Sequence, residues 1–326
     1  MHSLCKVFAA VILLGLVASP ASAWEPQGDV ELLVTVGPGT SPDQLARQLQ
    51  GIWRNSGLVK NNVAVVNKPG GGGSVGFTYF NNNYAGKGNY LVIAGASMVT
   101  NHLAGRSDIG CEDVTPVAHI FAEYIGIAVH PDSPIKDAKD MLERLKADPQ
   151  SLSIGIATSR GNSNHQAIAL VAKAYGIDVS KLKTIIFQAG NEARTAVMGK
   201  HIDIVPASVG TLAKQAEAGQ LRILAISAPE RMAGSMAEVP TWKELGFDVV
   251  VSNWRGVMGP KDMPAEAVAY WEAIAKKTLE DEALKKSGEA AFQSLMFMGH
   301  DEFLAYCKRE EEILQPLLSD MGVGNK

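Results

Sequence analysis

The chain has 326 residues, of which 46% are hydrophobic and 20% are charged, and its formal net charge at pH 7 is −4. Nucleic-acid binding usually needs a strongly basic face, so this mildly acidic composition argues against a nucleic-acid partner. The length is enough for two domains of ordinary size.

The first 23 residues have the pattern of a cleavable secretory signal peptide. His2 and Lys6 form a weakly basic start, an apolar run follows at 7–18, and the small residues at 21–23 resemble a cleavage site. The apolar run is shorter than the ~20 residues that cross a bilayer, although a retained membrane anchor is the alternative. We therefore expect cleavage after Ala23 and a periplasmic protein.

The remaining chain contains two cysteines, Cys111 and Cys307. Export would permit a disulfide, and two buried free thiols would fit equally well. No C-x-x-C motif occurs, so we expect neither a zinc site nor a redox site.

Strands and helices are predicted to alternate along the chain, which is typical of a mostly parallel α/β fold. Strands are predicted at 30–36, 62–67, 90–95, 152–157, 183–188, 202–208 and 221–227. Helices are predicted at 42–56, from about Ser74, and at 133–149, 166–176, 193–199, 209–219, 264–281 and 301–322. Long extended segments are predicted at 116–130 and 247–260.

This order divides the chain into two similar α/β blocks. We predict that lobe I comprises residues 24–124 and 249–326, and that lobe II comprises residues 125–248. The two extended segments would cross between the lobes, with hinges near 120–126 and 247–255.

A run of four glycines in 68-KPGGGGSVGFTYF-80 matches two enzyme signatures. Gly71, Gly73 and Gly76 fit the dinucleotide-binding pattern G-x-G-x-x-G. That reading lacks the acidic residue expected near the end of the next strand, since 93-IAGASM-98 has no carboxylate. Gly72, Ser74 and Gly76 fit the hydrolase pattern G-x-S-x-G, but no histidine stands in a telling context.

Five predicted strand-to-helix loops are rich in Gly, Ser, Thr or Asn. They lie at 37–41, 70–74, 96–100, 158–164 and 189–191. In open parallel sheets, ligands bind beyond the carboxyl ends of the strands. Small residues leave backbone N–H groups accessible, and the following helix adds unpaired N–H groups and partial positive charge. The loops therefore predict an anion site that needs neither lysine nor arginine.

Two arginines stand close to these predicted features. Arg160 lies inside a candidate loop and Arg255 lies in a crossing segment, where each could instead form an ordinary ion pair. His119 and Glu123 are four residues apart on an extended run, which favours a structural role over a metal site. We expect no metal and no cofactor.

An ordered series of motifs resembles the periplasmic solute receptors of tripartite tricarboxylate transporters, the Bug family. The segment 38-PGTSPDQLAR-47 is similar to the family's P-x-G-G-x-x-D-x-x-A-R, and 67-NKPGGGGSVG-76 is similar to N-[KR]-P-G-[AG]-G-G-x-x-G. Ser97, 159-SRGNSNH-165 and 187-FQAGNEA-193 follow in the family's order, as do 202–208, 219–231 and 239–247. The resemblance covers essentially the whole mature chain.

This resemblance implies a type II periplasmic-binding-protein fold, in which two α/β lobes close about a hinge like a Venus flytrap. It implies a monomer that binds a small carboxylate without chemistry and delivers it to membrane permease subunits. Backbone amides and hydroxyls of the loops would hold the ligand. The matching motif positions are Gly39, Ser41, Gly71, Gly72, Ser74 and Ser97 on one lobe, and Thr158, Ser159, Gly161, Gly190, Asn191 and Ser208 on the other.

The chain departs from the family pattern at several positions. Ala189 replaces a common glycine, Gln188 replaces a common basic residue, and the loop at 159–165 is shorter and carries Arg160. Arg160 is therefore added to the candidate binding residues, as a group that would favour an extra carboxylate. Two other functions stay open from the sequence: a subunit that presents the same ligand to a membrane sensor kinase, and a secreted hydrolase that uses Ser74.

Overall fold

The computed structural model describes residues 24–324, so the predicted signal peptide lies outside the described residues. Eleven strands and ten α-helices alternate along this part of the chain. The strands are β1 (Val30–Val34), β2 (Val63–Asn67), β3 (Tyr90–Gly95), β4 (Thr115–Ala122), β5 (Ile125–Val129), β6 (Ile154–Ala157), β7 (Thr184–Phe187), β8 (Ile204–Ser208), β9 (Arg222–Ile226), β10 (Arg255–Gly259) and β11 (Ser294–Met298). The helices are α1 (Ser41–Ser56), α2 (Ser74–Tyr84), α3 (Ala96–Leu103), α4 (Ala138–Ala147), α5 (Ser163–Ala174), α6 (Gly190–Met198), α7 (Val209–Glu217), α8 (Ala265–Thr278), α9 (Glu282–Ala290) and α10 (His300–Asp320).

The strands form two separate sheets, one in each lobe. The six-stranded sheet has the order β11-β4-β10-β3-β1-β2, and the five-stranded sheet has the order β7-β6-β8-β5-β9. Strand β1 runs parallel to β2 and β3, and β6 runs parallel to β7 and β8. Strands β10 and β5 run antiparallel to both of their neighbours. The fold is therefore a two-lobed mixed α/β architecture.

Two extended segments connect the sheets and lie side by side. Glu123 and Tyr124 separate β4 in the first sheet from β5 in the second. The returning chain runs antiparallel to them, with a bridge between Tyr124 and Ser252 and a hydrogen bond of 2.9 Å from the Asn253 N–H to the Glu123 carbonyl. Two adjacent antiparallel segments therefore join the lobes.

The lobes also meet away from the crossing. The Gln166 Nε2 of α5 donates to Thr100 Oγ1 of α3 at 3.0 Å, and both groups are buried. The Lys173 ammonium lies 2.6 Å from an Asp320 carboxylate oxygen at the end of α10. These contacts hold helix α5 of the second lobe against α3 and α10 of the first.

Several predicted boundaries are wrong. Helix α4 begins at Ala138 instead of 133, because the Asp137 carboxylate accepts the Asp140 N–H and fixes the start of the helix there. Helix α5 begins at Ser163, earlier than predicted, because Asn162 caps it through the His165 N–H. The stretch at 96–100, predicted as a loop, is the first part of α3.

The structure divides the two predicted extended segments into shorter strands. The run at 116–130 is two strands, β4 and β5, and the run at 247–260 contains only the short strand β10. Helix α9 and strand β11 were not predicted at all.

Cys111 and Cys307 are both buried and free. Their thiols are close enough to share a hydrogen bond, which together with burial raises the pKa of Cys111. Among residues 24–324, no helix combines the length and the apolar character needed to cross a membrane.

Candidate functional site

A cavity of about 560 Å³ lies between the two lobes. The first lobe lines it with the ends of β1 and β3, the starts of α1 and α3, and residues near the returning crossing. The second lobe lines it with the loop between β6 and α5 and with the first residues of α5. Both lobes therefore contribute the carboxyl ends of parallel strands, as the sequence pattern predicts.

The glycine run forms one edge of this cavity. Gly70, Gly71, Gly72 and Gly73 all have positive φ angles, from 55° to 144°, which only glycine adopts without strain. A Cβ on Gly73 would lie 3.0 Å from Thr35 Oγ1, so the loop packs closely on the end of β1.

Gly72 lines the cavity, and its carbonyl accepts from Asn101 Nδ2 at 2.9 Å. Ser74 Oγ donates to the Gly71 carbonyl at 3.0 Å and does not line the cavity. Among the described residues, no hydrogen bond joins Ser74 to a histidine.

The loop after β1 is held by a buried carboxylate. Asp43 is 2% exposed and accepts from Arg47, from the Gly39 N–H at 2.8 Å and from Asn67 Nδ2 at 3.0 Å. The bond from Arg47 is the main reason that the pKa of Asp43 falls to about 2. Because Asp43 already uses the Gly39 amide, that amide supports the loop, while Thr40 and Pro42 line the cavity.

The loop after β6 carries backbone strain at the cavity wall. Thr158 has a φ of 62°, which is unusual for a β-branched residue and is the kind of strain found at ligand-binding sites. The Thr158 and Ser159 amides already donate to the carbonyls of Phe187 and Ala157, each at 2.8 Å, so their hydroxyls are the groups left to contact a ligand.

Buried His165 supports the same loop from behind. It accepts the Gly161 N–H at 3.1 Å, and burial lowers the pKa of His165 to about 4. The ring is therefore neutral and keeps one nitrogen as an acceptor near pH 7.

Helix N-termini from both lobes meet at the cavity. Ser97 lies in the first turn of α3, and Ser163 and Asn164 are the first two residues of α5. The N–H groups at such positions have no acceptor within their own helix and carry partial positive charge. The cavity therefore presents oriented donors from opposite sides.

Two arginines add full positive charge. Arg106 is exposed at the cavity, whereas Arg255 is only 9% exposed. Burial lowers the pKa of Arg255, although the charge of Glu123 partly opposes that shift. Among the described residues that line the cavity, none is an aspartate or a glutamate.

The predicted binding residues divide into two groups in the structure. Four line the cavity together: Gly72, Ser97, Thr158 and Ser159. Nine do not line it: Gly39, Ser41, Gly71, Ser74, Arg160, Gly161, Gly190, Asn191 and Ser208. Arg160 instead donates to Thr184 Oγ1 at 2.9 Å, and Gly190 and Ser208 lie at the starts of α6 and α7.

Several residues that line the cavity were absent from the sequence-based set. They include Thr35, Thr40, Asn101, Arg106, Asn162, Ser163, Asn164, Asn253 and Arg255. Asn101 lies four residues after Ser97, so recognition of α3 as a helix would have placed both on one face. Arg255 stood out as a cation, but its burial beside Gly95 depends on a long-range strand pairing.

Comparisons with known proteins identify the family and the fold. The model of the family described as "Tripartite tricarboxylate transporter family receptor" matches residues 45–301. A UPF0065 protein from Cupriavidus necator is 27% identical over 321 residues, which is 95% of each chain.

Two solved structures show the same fold. A TctC solute-binding protein from Polaromonas, without ligand, superposes with a TM-score of 0.80 and 24% identity over 90% of this chain and 99% of its own. MatC from Rhodopseudomonas palustris, with bound malate, gives a TM-score of 0.69 and 18% identity over 90% and 99%.

Proposed function

Because the chain belongs to the family of tripartite tricarboxylate transporter receptors, we propose that it captures a small carboxylate between its lobes and delivers it to the membrane subunits of such a transporter. Receptors of this family are periplasmic solute-binding proteins, and they are not enzymes. We propose that this chain is exported in the same way, with cleavage after Ala23.

The observation that carries the proposal is the charge pattern of the interlobe cavity. Donors from the N-termini of α3 and α5 meet there, two arginines add positive charge, and the described lining residues include no carboxylate. The volume of about 560 Å³ suits a small organic molecule. An anion is the ligand that such a surface stabilises best.

The donors must act together to give useful affinity. One helix end contributes about 0.3–1 kcal/mol at a surface and up to ~2 kcal/mol when partly buried. A micromolar dissociation constant needs about 8 kcal/mol. Two helix ends, hydroxyls from both lobes and a charge-assisted bond can reach that value only if both lobes contact one ligand.

We therefore propose that Gly72 and Ser97 on one lobe and Thr158 and Ser159 on the other hold the carboxylate. The proposed lobes comprise residues 24–124 with 249–326, and residues 125–248. Ligand would shift an equilibrium between open and closed arrangements about the crossing segments at Glu123–Tyr124 and Ser252–Asn253. We propose that the role is binding, and the hydrogen bond from Ser74 Oγ to the Gly71 carbonyl supports this, because it engages the hydroxyl that a hydrolase would use as its nucleophile.

A thermal-shift screen of the mature protein tests this function. The panel contains aliphatic di- and tricarboxylates, aromatic acids and amino acids, each paired with its neutral amide. A ligand at 100 times its dissociation constant should stabilise the protein by about 2.7 kcal/mol. We expect at least one carboxylate to raise the melting temperature by several degrees and its amide to have no effect.

Three outcomes of these measurements would contradict carboxylate capture. Equal stabilisation by acid and amide, or no shift with any acid, would contradict carboxylate capture. Cleavage of the corresponding methyl esters, lost in a Ser74→Ala variant, would replace binding with hydrolysis.

A further inference from the structure

Arg255 occupies a special position in the wall of the interlobe cavity. It is the first residue of β10, which lies between β3 and β4 in the sheet. Its guanidinium lies on Gly95, because a Cβ built on that glycine would come 2.6 Å from Arg255 Nη1. Gly95 directly precedes α3, so the buried cation lies beside the N-terminus of that helix.

The hydrogen bonds of Arg255 use only one end of the guanidinium. Nη1 donates to Asn253 Oδ1 at 2.9 Å and to the Trp254 carbonyl at 2.8 Å. Nε is buried without an acceptor, and Nη2 forms no hydrogen bond to any described residue. The edge formed by Nε and Nη2 is therefore without a protein partner.

No carboxylate among the described residues lies within ion-pair distance of Arg255. The charge of Glu123 affects it, but the Glu123 oxygens accept from Gln293 Nε2 at 2.9 Å and from Asn253 Nδ2 at 3.4 Å. A buried cation without a counter-ion is unfavourable, and the partial positive charge at the start of α3 increases the cost.

We propose that Arg255 binds the carboxylate of the transported ligand and is the residue that selects an ionised acid over its neutral analogues. Nη2 is the donor that remains for a ligand, because Nε is closed to solvent in this structure, and a charge-assisted hydrogen bond from Nη2 would hold a carboxylate oxygen. Ser97 and the first amides of α3 would bind the same group from the adjacent side. This inference rests on the proposed function, and it names the group that confers its charge specificity.

A ligand-binding role and a purely structural role for Arg255 predict different stabilities for the unliganded protein. If the role of Arg255 is to bind ligand, it lowers the stability of the unliganded protein, since its charge is then buried and unpaired. An arginine kept for structure raises that stability through its bonds to Asn253 and Trp254. Removing the charge of Arg255 should therefore keep or raise the stability of the unliganded protein in the first case and lower it in the second.

The test compares Arg255→Gln and Arg255→Lys with Arg54→Gln as the control, all in the mature protein. Arg54 is an exposed arginine of α1 that does not line the cavity. Malate and malamide, together with the acid and amide that rank first in the thermal-shift screen, are titrated by calorimetry. The melting temperature of each unliganded variant is measured in parallel.

We expect Arg255→Gln to weaken acid binding about 100-fold and to keep or raise the unliganded melting temperature. Arg255→Lys should weaken acid binding about tenfold, because lysine keeps the charge but does not place a donor at the position of Nη2. Arg54→Gln should bind the acid as the wild type does. Wild-type affinity in Arg255→Gln would overturn the inference and leave carboxylate capture intact.

Two further results would overturn the proposed role of Arg255. An unliganded Arg255→Gln protein that melts well below the wild type would assign the arginine to structure and overturn the inference, whatever its affinity. Absence of acid binding by the wild-type protein would overturn the proposed function first and this inference with it.

Discussion

Gly76→Ala should lower the free energy of unfolding by about 3 kcal/mol, because overpacking of a rigid interior costs about 1–3 kcal/mol and this site is at the upper end. A Cβ on Gly76 would lie 2.7 Å from the Lys68 carbonyl oxygen and 2.9 Å from Thr35 Cα. Backbone atoms on both sides cannot rotate away as a side chain can. Urea unfolding of the mature protein measures the loss.

The same substitution should weaken ligand binding, since α2 can only make room by moving the glycine run or the end of β1, where Thr35 lines the cavity. Gly37→Ala is the control, because a Cβ there meets no atom within 4 Å. We expect the control to stay within about 0.5 kcal/mol of the wild type, as ordinary surface substitutions do. Equal stability of the two variants would show that α2 does not pack on β1 in this way.

Glu310→Gln should change how stability depends on pH. The Glu310 carboxylate accepts from Trp254 Nε1 at 2.5 Å and from Tyr306 Oη at 3.0 Å, on the inner face of α10. Desolvation raises the pKa of Glu310 from 4.5 to about 7. The folded protein therefore holds this proton more tightly than the unfolded chain does.

The difference in pKa between the folded and unfolded states sets the direction in which stability changes with pH. The stabilising contribution of protonated Glu310 is fully present below pH 4.5 and is lost as the pH rises through 7. A shift of this size is worth roughly 3 kcal/mol for a fully desolvated group. We expect the loss of stability to be about 2 kcal/mol, because Glu310 as a whole residue is only partly buried.

Urea unfolding at pH 5, 6.5 and 8 checks this expectation. The wild type should lose stability relative to Glu310→Gln as the pH rises, whereas Glu312→Gln, on the exposed side of the same helix, should follow the wild type. Parallel pH curves for the wild type and Glu310→Gln would mean that the carboxylate remains solvated in the folded protein.

The alternation of strands and helices was predictable because apolar runs and helical spacing report directly on burial. Strand β1, for example, is apolar over most of its length and buried on both faces. Helix α9 and strand β11 were missed for a physical reason. The helix is short and includes Ser287 and Gly288, while the strand at the edge of the sheet is mostly half-buried and shows no alternation.

The candidate site was only partly accessible from sequence. The glycine run was correctly placed in a strand-to-helix loop, where Gly70 to Gly73 adopt positive φ angles and Gly72 lines the cavity. The environment of Arg255 could not be read from its neighbours in the chain. It arises because β10 returns from the second lobe and inserts between β3 and β4, which places the guanidinium on Gly95.

Capture of a carboxylate between the two lobes is tested most directly by a crystal structure of the mature protein. The ligand for that structure is the carboxylate that ranks first in the thermal-shift screen. We expect ligand density between the lobes, with carboxylate oxygens about 3 Å from the Arg255 guanidinium and from Ser97, and further contacts from Thr158 or Ser159. Density outside the interlobe cavity, or a carboxylate that contacts only one lobe and points away from Arg255, would contradict it.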